Sequence, residues 1–119
     1  ESAQLYVRHG DSRIWLASLE SPHGLRTIVA TGAVLPLDQG SGGRVLAGEE
    51  SKHGWIESVA EREAGVASVS APVVDARGVT VAAVSVSGPI ERLSPTPGSA
   101  LGAAVVAAAK EVAAAAGLI

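Results

Sequence analysis

The residues best placed to do chemistry in this chain are serines set into two apolar stretches. Gly65-Val66-Ala67-Ser68-Val69-Ser70-Ala71-Pro72 and Val81-Ala82-Ala83-Val84-Ser85-Val86-Ser87-Gly88-Pro89 each read as a buried β-strand with hydroxyls where a core normally carries methyl groups. A buried hydroxyl without a partner costs about 1–3 kcal/mol. Several of them close together imply a small polar pocket in an apolar sheet, a place to hold a small molecule rather than to break a bond. The connection Asp75-Ala76-Arg77-Gly78 has a type I turn signature with Gly last. If Val74 faces Val79 across that turn, Ser68 faces Ser85 and Val66 faces Ser87. The period of two then puts Ser68, Ser70, Ser85 and Ser87 on one face, whereas a slip of one residue would part the two pairs. The competing reading is that these small side chains simply allow close packing.

Gly40-Ser41-Gly42-Gly43 supplies a complement. A Gly-rich loop opening a short helix, Arg44 to Ala47 with Ser41 as its N-cap, offers backbone N–H groups and the positive end of a helix dipole to a carboxylate or phosphate. No Lys follows the glycines, so this is not a P-loop. A nucleophilic Ser41 would need His9, His23 or His53 beside it and an acid behind that, and nothing in the spacing supplies such a triad. No catalytic residue is therefore expected. The histidines match no zinc spacing, and neither a metal nor a cofactor is expected. Glu61-Arg62-Glu63 reads as a solvated turn from which Glu61 or Glu63 could close the mouth of the pocket. Trp55 reads as core.

The chain has 119 residues, enough for one domain with a core. With no Phe and no Met, one Tyr and two Trp, that core must be built of Val, Ala, Leu and Ile. A net charge of −3, with Lys only at positions 52 and 110, offers no basic surface for nucleic acid. The absence of Cys excludes disulfides and thiolate chemistry. There is neither a signal peptide nor an apolar run with the bulk of a membrane span, since Lys110 and Glu111 interrupt the Ala-rich segment. A cytoplasmic location is expected.

Strands are expected at Ala3 to Arg8 and Arg13 to Leu19, joined by a turn at His9-Gly10-Asp11-Ser12. In the second, Ile14 and Leu16 should share one face and Trp15, Ala17 and Leu19 the other. Further strands are expected at Leu25 to Ala30, around Leu35-Pro36-Leu37 and at Trp55 to Val59, besides the two serine strands. A helix should run from about Ser99 to Ala116, stopped by Gly117, with Leu101, Val105, Ala108 and Val112 on its buried face. The sum is an α/β (α+β) domain: a mostly antiparallel sheet of about six strands with helices against it.

At these same residues the chain resembles a known family. Leu16-Ala17-Ser18-Leu19-Glu20-Ser21-Pro22-His23-Gly24-Leu25-Arg26, Gly40-Ser41-Gly42-Gly43-Arg44-Val45-Leu46, Gly65 to Val73 and Ala82-Ala83-Val84-Ser85-Val86-Ser87-Gly88-Pro89-Ile90-Glu91-Arg92-Leu93 look like the effector-binding domain of IclR-type bacterial transcriptional regulators. The similarity covers nearly the whole chain in matching order and is strongest to an actinobacterial branch associated with leucine and amino-acid metabolism. The resemblance implies a GAF/profilin-like fold, residues 1–119 acting as an effector-binding and oligomerisation domain, and dimers or tetramers. It implies a separate N-terminal winged helix-turn-helix that binds operator DNA; no such motif is present in these residues, and the start at Glu1 without Met looks like a cut from a longer protein. It implies a small-molecule effector, such as an organic acid or an amino-acid metabolite, held by Ser41, Gly42, Ser68, Ser85 and Ser87. An acid that binds ligand in some members falls near Val59 or Ala60, which leaves Glu61 as its neighbouring substitute. The family's longer segment before the Gly-Trp strand is bridged in this chain by Gly48 to Gly54.

Overall fold

The computed structural model describes residues 2–20, 32–61, 64–93 and 96–119. Among the described residues six strands form one sheet: β1 (Ser2–His9), β2 (Ser12–Glu20), β3 (Val34–Pro36), β4 (Ile56–Val59), β5 (Val66–Val74) and β6 (Thr80–Pro89). Their order is β3-β2-β1-β6-β5-β4, and every neighbouring pair is antiparallel. Among the same residues three helices accompany them, α1 (Gly40–Leu46), α2 (Ile90–Leu93) and α3 (Pro97–Ala115). This is the α+β architecture expected from the alternation of side chains. The strand expected at Leu25 to Ala30 lies outside the described residues.

The period of two divides the sheet chemically. On one face Val69, Ala71, Val73, Ala82 and Val84 pack against Val105, Ala109 and Ala113 of α3. On the other face Tyr6, Trp15 and Ala83 pack with Leu37, Ile56 and the α1 residues Val45 and Leu46. The serines of β5 and β6 lie on this second face, beneath α1.

Two expectations about registry are corrected. In β2 a bulge pairs Tyr6 with Trp15 but Leu5 with Ala17. The extra residue, Leu16, is pushed outward and is half-exposed, so the alternation breaks there. Trp15 and Arg13 are both buried, whereas Ala17 no longer shares their environment. In the β5–β6 hairpin the partners are Ser68–Ser87 and Ser70–Ser85, not Ser68–Ser85 and Val66–Ser87. Val74 pairs with Thr80 across an irregularity, so the connection runs from Asp75 to Val79. Gly78 N–H reaches the Asp75 carbonyl at 3.0 Å, and Asp75 Oδ1 accepts the N–H groups of Arg77 (2.9 Å) and Val79 (3.0 Å). The displacement from the expected register is even, so the four serines keep a common face and form two directly opposed pairs.

α3 spans nearly the expected residues, and Gly117, at φ +72°, ends it. Its buried stripe is Gly98, Gly102, Val105, Ala109 and Ala113. Leu101, Ala108 and Val112 flank it half-buried, so only Val105 of the expected face lies at the centre. The physical cause is Trp55. Its indole fits a notch in α3, where a Cβ on Gly98 would come to 1.9 Å of the ring and one on Gly102 to 2.3 Å. Backbone without side chains lets the helix close on the ring. The Gly98 N–H also donates to Glu57 Oε2 at 3.0 Å, tying the start of α3 to β4. By length and composition α3 would suffice to cross a membrane, contrary to the expectation for that segment, but its stripe is spent on β5 and β6.

Replacing Gly102 with Ala gains about 1 kcal/mol of helix propensity but overpacks a rigid indole, a cost of about 1–3 kcal/mol. Chemical denaturation of Gly102→Ala should show a net loss of stability. The Asp75 carboxyl is held below the usual range chiefly by the Val79 N–H and next by that of Arg77, against an opposing desolvation. A depressed folded-state pKa gives stability above the unfolded value that is lost as pH falls through the folded one. Asp75→Ala should therefore lower Tm at pH 7, and the difference from the parent chain should shrink below about pH 4.

Candidate functional site

Ser41 sits in the first turn of α1, fully buried, and it does not cap the helix as expected. Gln39, two residues earlier, occupies the cap position without a side-chain hydrogen bond, and the helix begins at Gly40, whose φ is +79°. The Ser41 hydroxyl instead points down into the sheet. Its Oγ lies 2.7 Å from Ser68 Oγ and 2.6 Å from Ser70 Oγ. Ser70 is in turn hydrogen-bonded to Ser85 on β6, and Ser68 to Ser58 on β4 at 2.8 Å. Ser58 Oγ also accepts the Ser41 N–H at 3.2 Å. The result is a line of hydroxyls, Ser58–Ser68–Ser41–Ser70–Ser85, threaded through α1 and three strands.

Each hydroxyl carries one hydrogen. Five hydroxyls joined by four contacts leave one hydrogen over, at one end or at a reversal along the line. A cavity lies beside this line, lined by Ser41, Ser58, Ser68, Ser85 and Ser87 together with Gly40, Gly42, Val66, Gln4, Tyr6 and Arg13. Ser87 stands apart from the line. Its Oγ accepts from Gln4 Nε2 at 2.9 Å, which leaves its own hydrogen for the cavity. The free volume open to water centres is about 30 Å³, room for about two waters.

Arg13 brings the charge. Its side chain, 2% exposed, lies with Cζ 4.6 Å from the centre of the Tyr6 ring, and its Nη2 donates to the Gln39 carbonyl at 3.0 Å. Tyr6 in turn packs against Trp15 with ring centres 5.6 Å apart. Gly42 is required by close approach: a Cβ there would come to 2.6 Å of Arg13 Nη1 and 3.1 Å of Ser85 Oγ.

Of the residues expected at the site, Ser41, Gly42, Ser68, Ser85 and Ser87 are brought together. Glu61 is not among the lining residues. Its carboxylate accepts from Arg44 Nη1 at 2.7 Å. Arg44 also binds Glu49 at 2.6 Å, a contact that raises the arginine's pKa and lowers that of Glu49. Exposed pairs of this kind hold a loop with little net stability. Sequence reading missed Gln4, Tyr6, Arg13 and Ser58. The signal for the first two was available in β1, where Ser2, Gln4 and Tyr6 alternate with Ala3, Leu5 and Val7; the polar members were the buried ones. Among the described residues no group of three or more His, Cys, Asp or Glu could hold a metal ion. His9 and His53 are exposed, His53 stacked on Trp55, and the partners of Ser41 are hydroxyls.

Residues 49–114 match the family model described as the C-terminal part of the bacterial transcriptional regulator IclR. A stretch of 42 residues, 35% of this chain, is 52% identical to the glycerol operon regulatory protein of Streptomyces griseus. The solved structure of an IclR-family transcriptional regulator from Rhodococcus sp. superposes on the whole chain with a TM-score of 0.84 at 28% identity. The inducer-binding domain of the PobR transcription factor from Acinetobacter, a double mutant in complex with 3-hydroxybenzoic acid, shares the fold over 93% of this chain and 86% of that one (TM-score 0.74, 18% identity). The matched stretch is 16% of the Streptomyces relative, and the chain covers 59% of the Rhodococcus protein.

Removing the Ser41 hydroxyl would strand Ser68 and Ser70 at the middle of the line. Ser41→Ala should cost about 1–3 kcal/mol in a denaturation experiment. Ser87→Ala, at the margin of the site, should cost less than half of that.

Proposed function

This chain belongs to the family of C-terminal domains of IclR-type bacterial transcriptional regulators, and from that premise we propose that its serine-lined cavity is an effector site for a small carboxylate. The observation that carries the reading is a buried guanidinium, Arg13, beside a cavity walled by hydroxyls. Few environments inside an apolar sheet favour an anion, and this one supplies a cation, the spare hydroxyl hydrogens and a shell that excludes bulk water. Effector binding would act on transcription through the assembly. A homo-dimer or tetramer would change its subunit arrangement and with it the spacing of winged helix-turn-helix domains, supplied by the N-terminal part of the intact regulator, on operator half-sites. That requires the effector to bind one arrangement more tightly than the other. The regulator would act in the cytoplasm, on genes of amino-acid or small-acid metabolism.

One observation favours a second reading. The hydroxyls of Ser41 and Ser70 are satisfied by other serines, and the free volume is small. A self-satisfied cluster of this sort would also serve a pure oligomerisation module with a vestigial pocket.

Calorimetric titration of the chain with short carboxylic acids separates the two. The effector reading expects saturable binding that falls at least tenfold in the double variant Ser85→Ala, Ser87→Ala, with the far-ultraviolet circular dichroism unchanged. No heat from any of these acids, in a chain that still self-associates, would support the oligomerisation reading and overturn the first.

A further inference from the structure

Away from the serine line the molecule carries a larger opening, a groove between α3 and the last residues of β5. Its free volume at water centres is about 560 Å³, within the range of about 300–1,000 Å³ usual for small-molecule sites. The groove exists because β4 is short. That strand pairs with Ala67 to Ser70 of β5 and no further. Just before it, Gly54 at φ +83° brings the chain against α3, where a Cβ on Gly54 would lie 3.6 Å from Val106 Cγ2. Among the described residues, the end of β5 beyond Ser70 is therefore an open sheet edge beside the helix.

The lining defines what fits. The floor is apolar, built by Val74, Val106, Ala109 and Ala113, and the exposed Ile119 extends it. Three polar side chains stand around it, those of His53, Asp75 and Lys110. His53 is stacked on Trp55 with ring centres 5.1 Å apart. Asp75 is committed: Oδ1 accepts the N–H groups of Arg77 and Val79, and Oδ2 lies 3.5 Å from Arg77 Nη2. Lys110 is exposed and has no ion pair or hydrogen bond among the described residues. An uncommitted cation beside an apolar floor complements a molecule with a carboxylate head and an apolar tail. The tail gains by leaving water, and the ion pair orients it. An added peptide strand suits this edge less well. The Ala60 N–H donates to the Val66 carbonyl at 2.8 Å, so the even-numbered residues of β5 turn their main-chain groups toward β4. The first of these past Ser70 is Pro72, which has no N–H and interrupts the ladder a new strand would need.

We propose that this groove is a binding site for an amphipathic carboxylate, separate from the cavity beneath α1. The serine cavity has room for about two waters and cannot hold an alkyl tail, so the groove stands or falls independently of an effector there. The test is an NMR titration, read at the backbone amides, of the chain with octanoate below its micelle range. Saturable shifts are expected at Gly54, Val74 and Lys110, with Gly42 and Ser87 unmoved. Octylammonium, with the same tail and the opposite charge, should bind about fivefold more weakly than octanoate, and Lys110→Glu should weaken octanoate by about the same factor. Lys110→Arg should bind octanoate like the parent chain. Shifts confined to other amides, no saturable shift at all, octylammonium binding as tightly as octanoate, or undiminished binding of octanoate by Lys110→Glu would each overturn the proposal.

Discussion

The structure depends on one constraint: hydroxyls buried between α1 and the sheet must satisfy one another. Ser58, Ser68, Ser41, Ser70 and Ser85 come from one helix and three strands, and each is placed so that its oxygen reaches the next. Moving α1 by the width of one side chain would break two of these contacts at Ser41 and leave polar groups in a dry interior. The hydroxyl line therefore fixes the height and rotation of α1 over the sheet. Gly42 and Gly43 permit that approach, since a Cβ on Gly43 would come to 2.5 Å of the Leu37 carbonyl. The same line decides what the cavity can offer, because most of its hydrogens are already committed.

The opposite face of the sheet solves a different problem with the same economy of side chains. Lacking Phe and Met, the core under α3 consists of Val and Ala and gains density by close approach. Trp55 is the aromatic side chain packed there among the described residues, and the helix accommodates it by having no side chain at Gly98 and Gly102. Both faces thus depend on small residues, one to bring hydroxyls together and the other to bring backbone onto a ring.

Much of this was legible in the chain. The alternation of Ser with Val and Ala in β5 and β6 placed four serines on one face, and an even error in register left that conclusion intact. The turn was misjudged because the Asp75 side chain bonds the Arg77 and Val79 N–H groups and lengthens the connection, which a four-residue signature does not reveal. The buried face of α3 was misjudged because periodicity weights large residues, whereas the stripe centres on glycine and alanine. Arg13 was passed over because a charged residue beside a turn is ordinarily solvated. Arg13 stands two residues before Trp15, so the period of two puts it on the same face of β2 as the buried ring. Glu61 was expected at the cavity by its nearness to Val59 and Ala60, but Arg44 takes its carboxylate instead.

The most direct test of an acid bound beneath α1, between Arg13 and the serine line, is a crystal structure of the chain grown with glycolate. Ordered density for the ligand is predicted in the cavity, its carboxylate within hydrogen-bond distance of Arg13 or of the serine hydroxyls that line it. Glycolate bound instead in the grooves around Trp55 and Pro72, with the serine cavity unchanged, would contradict an effector site there.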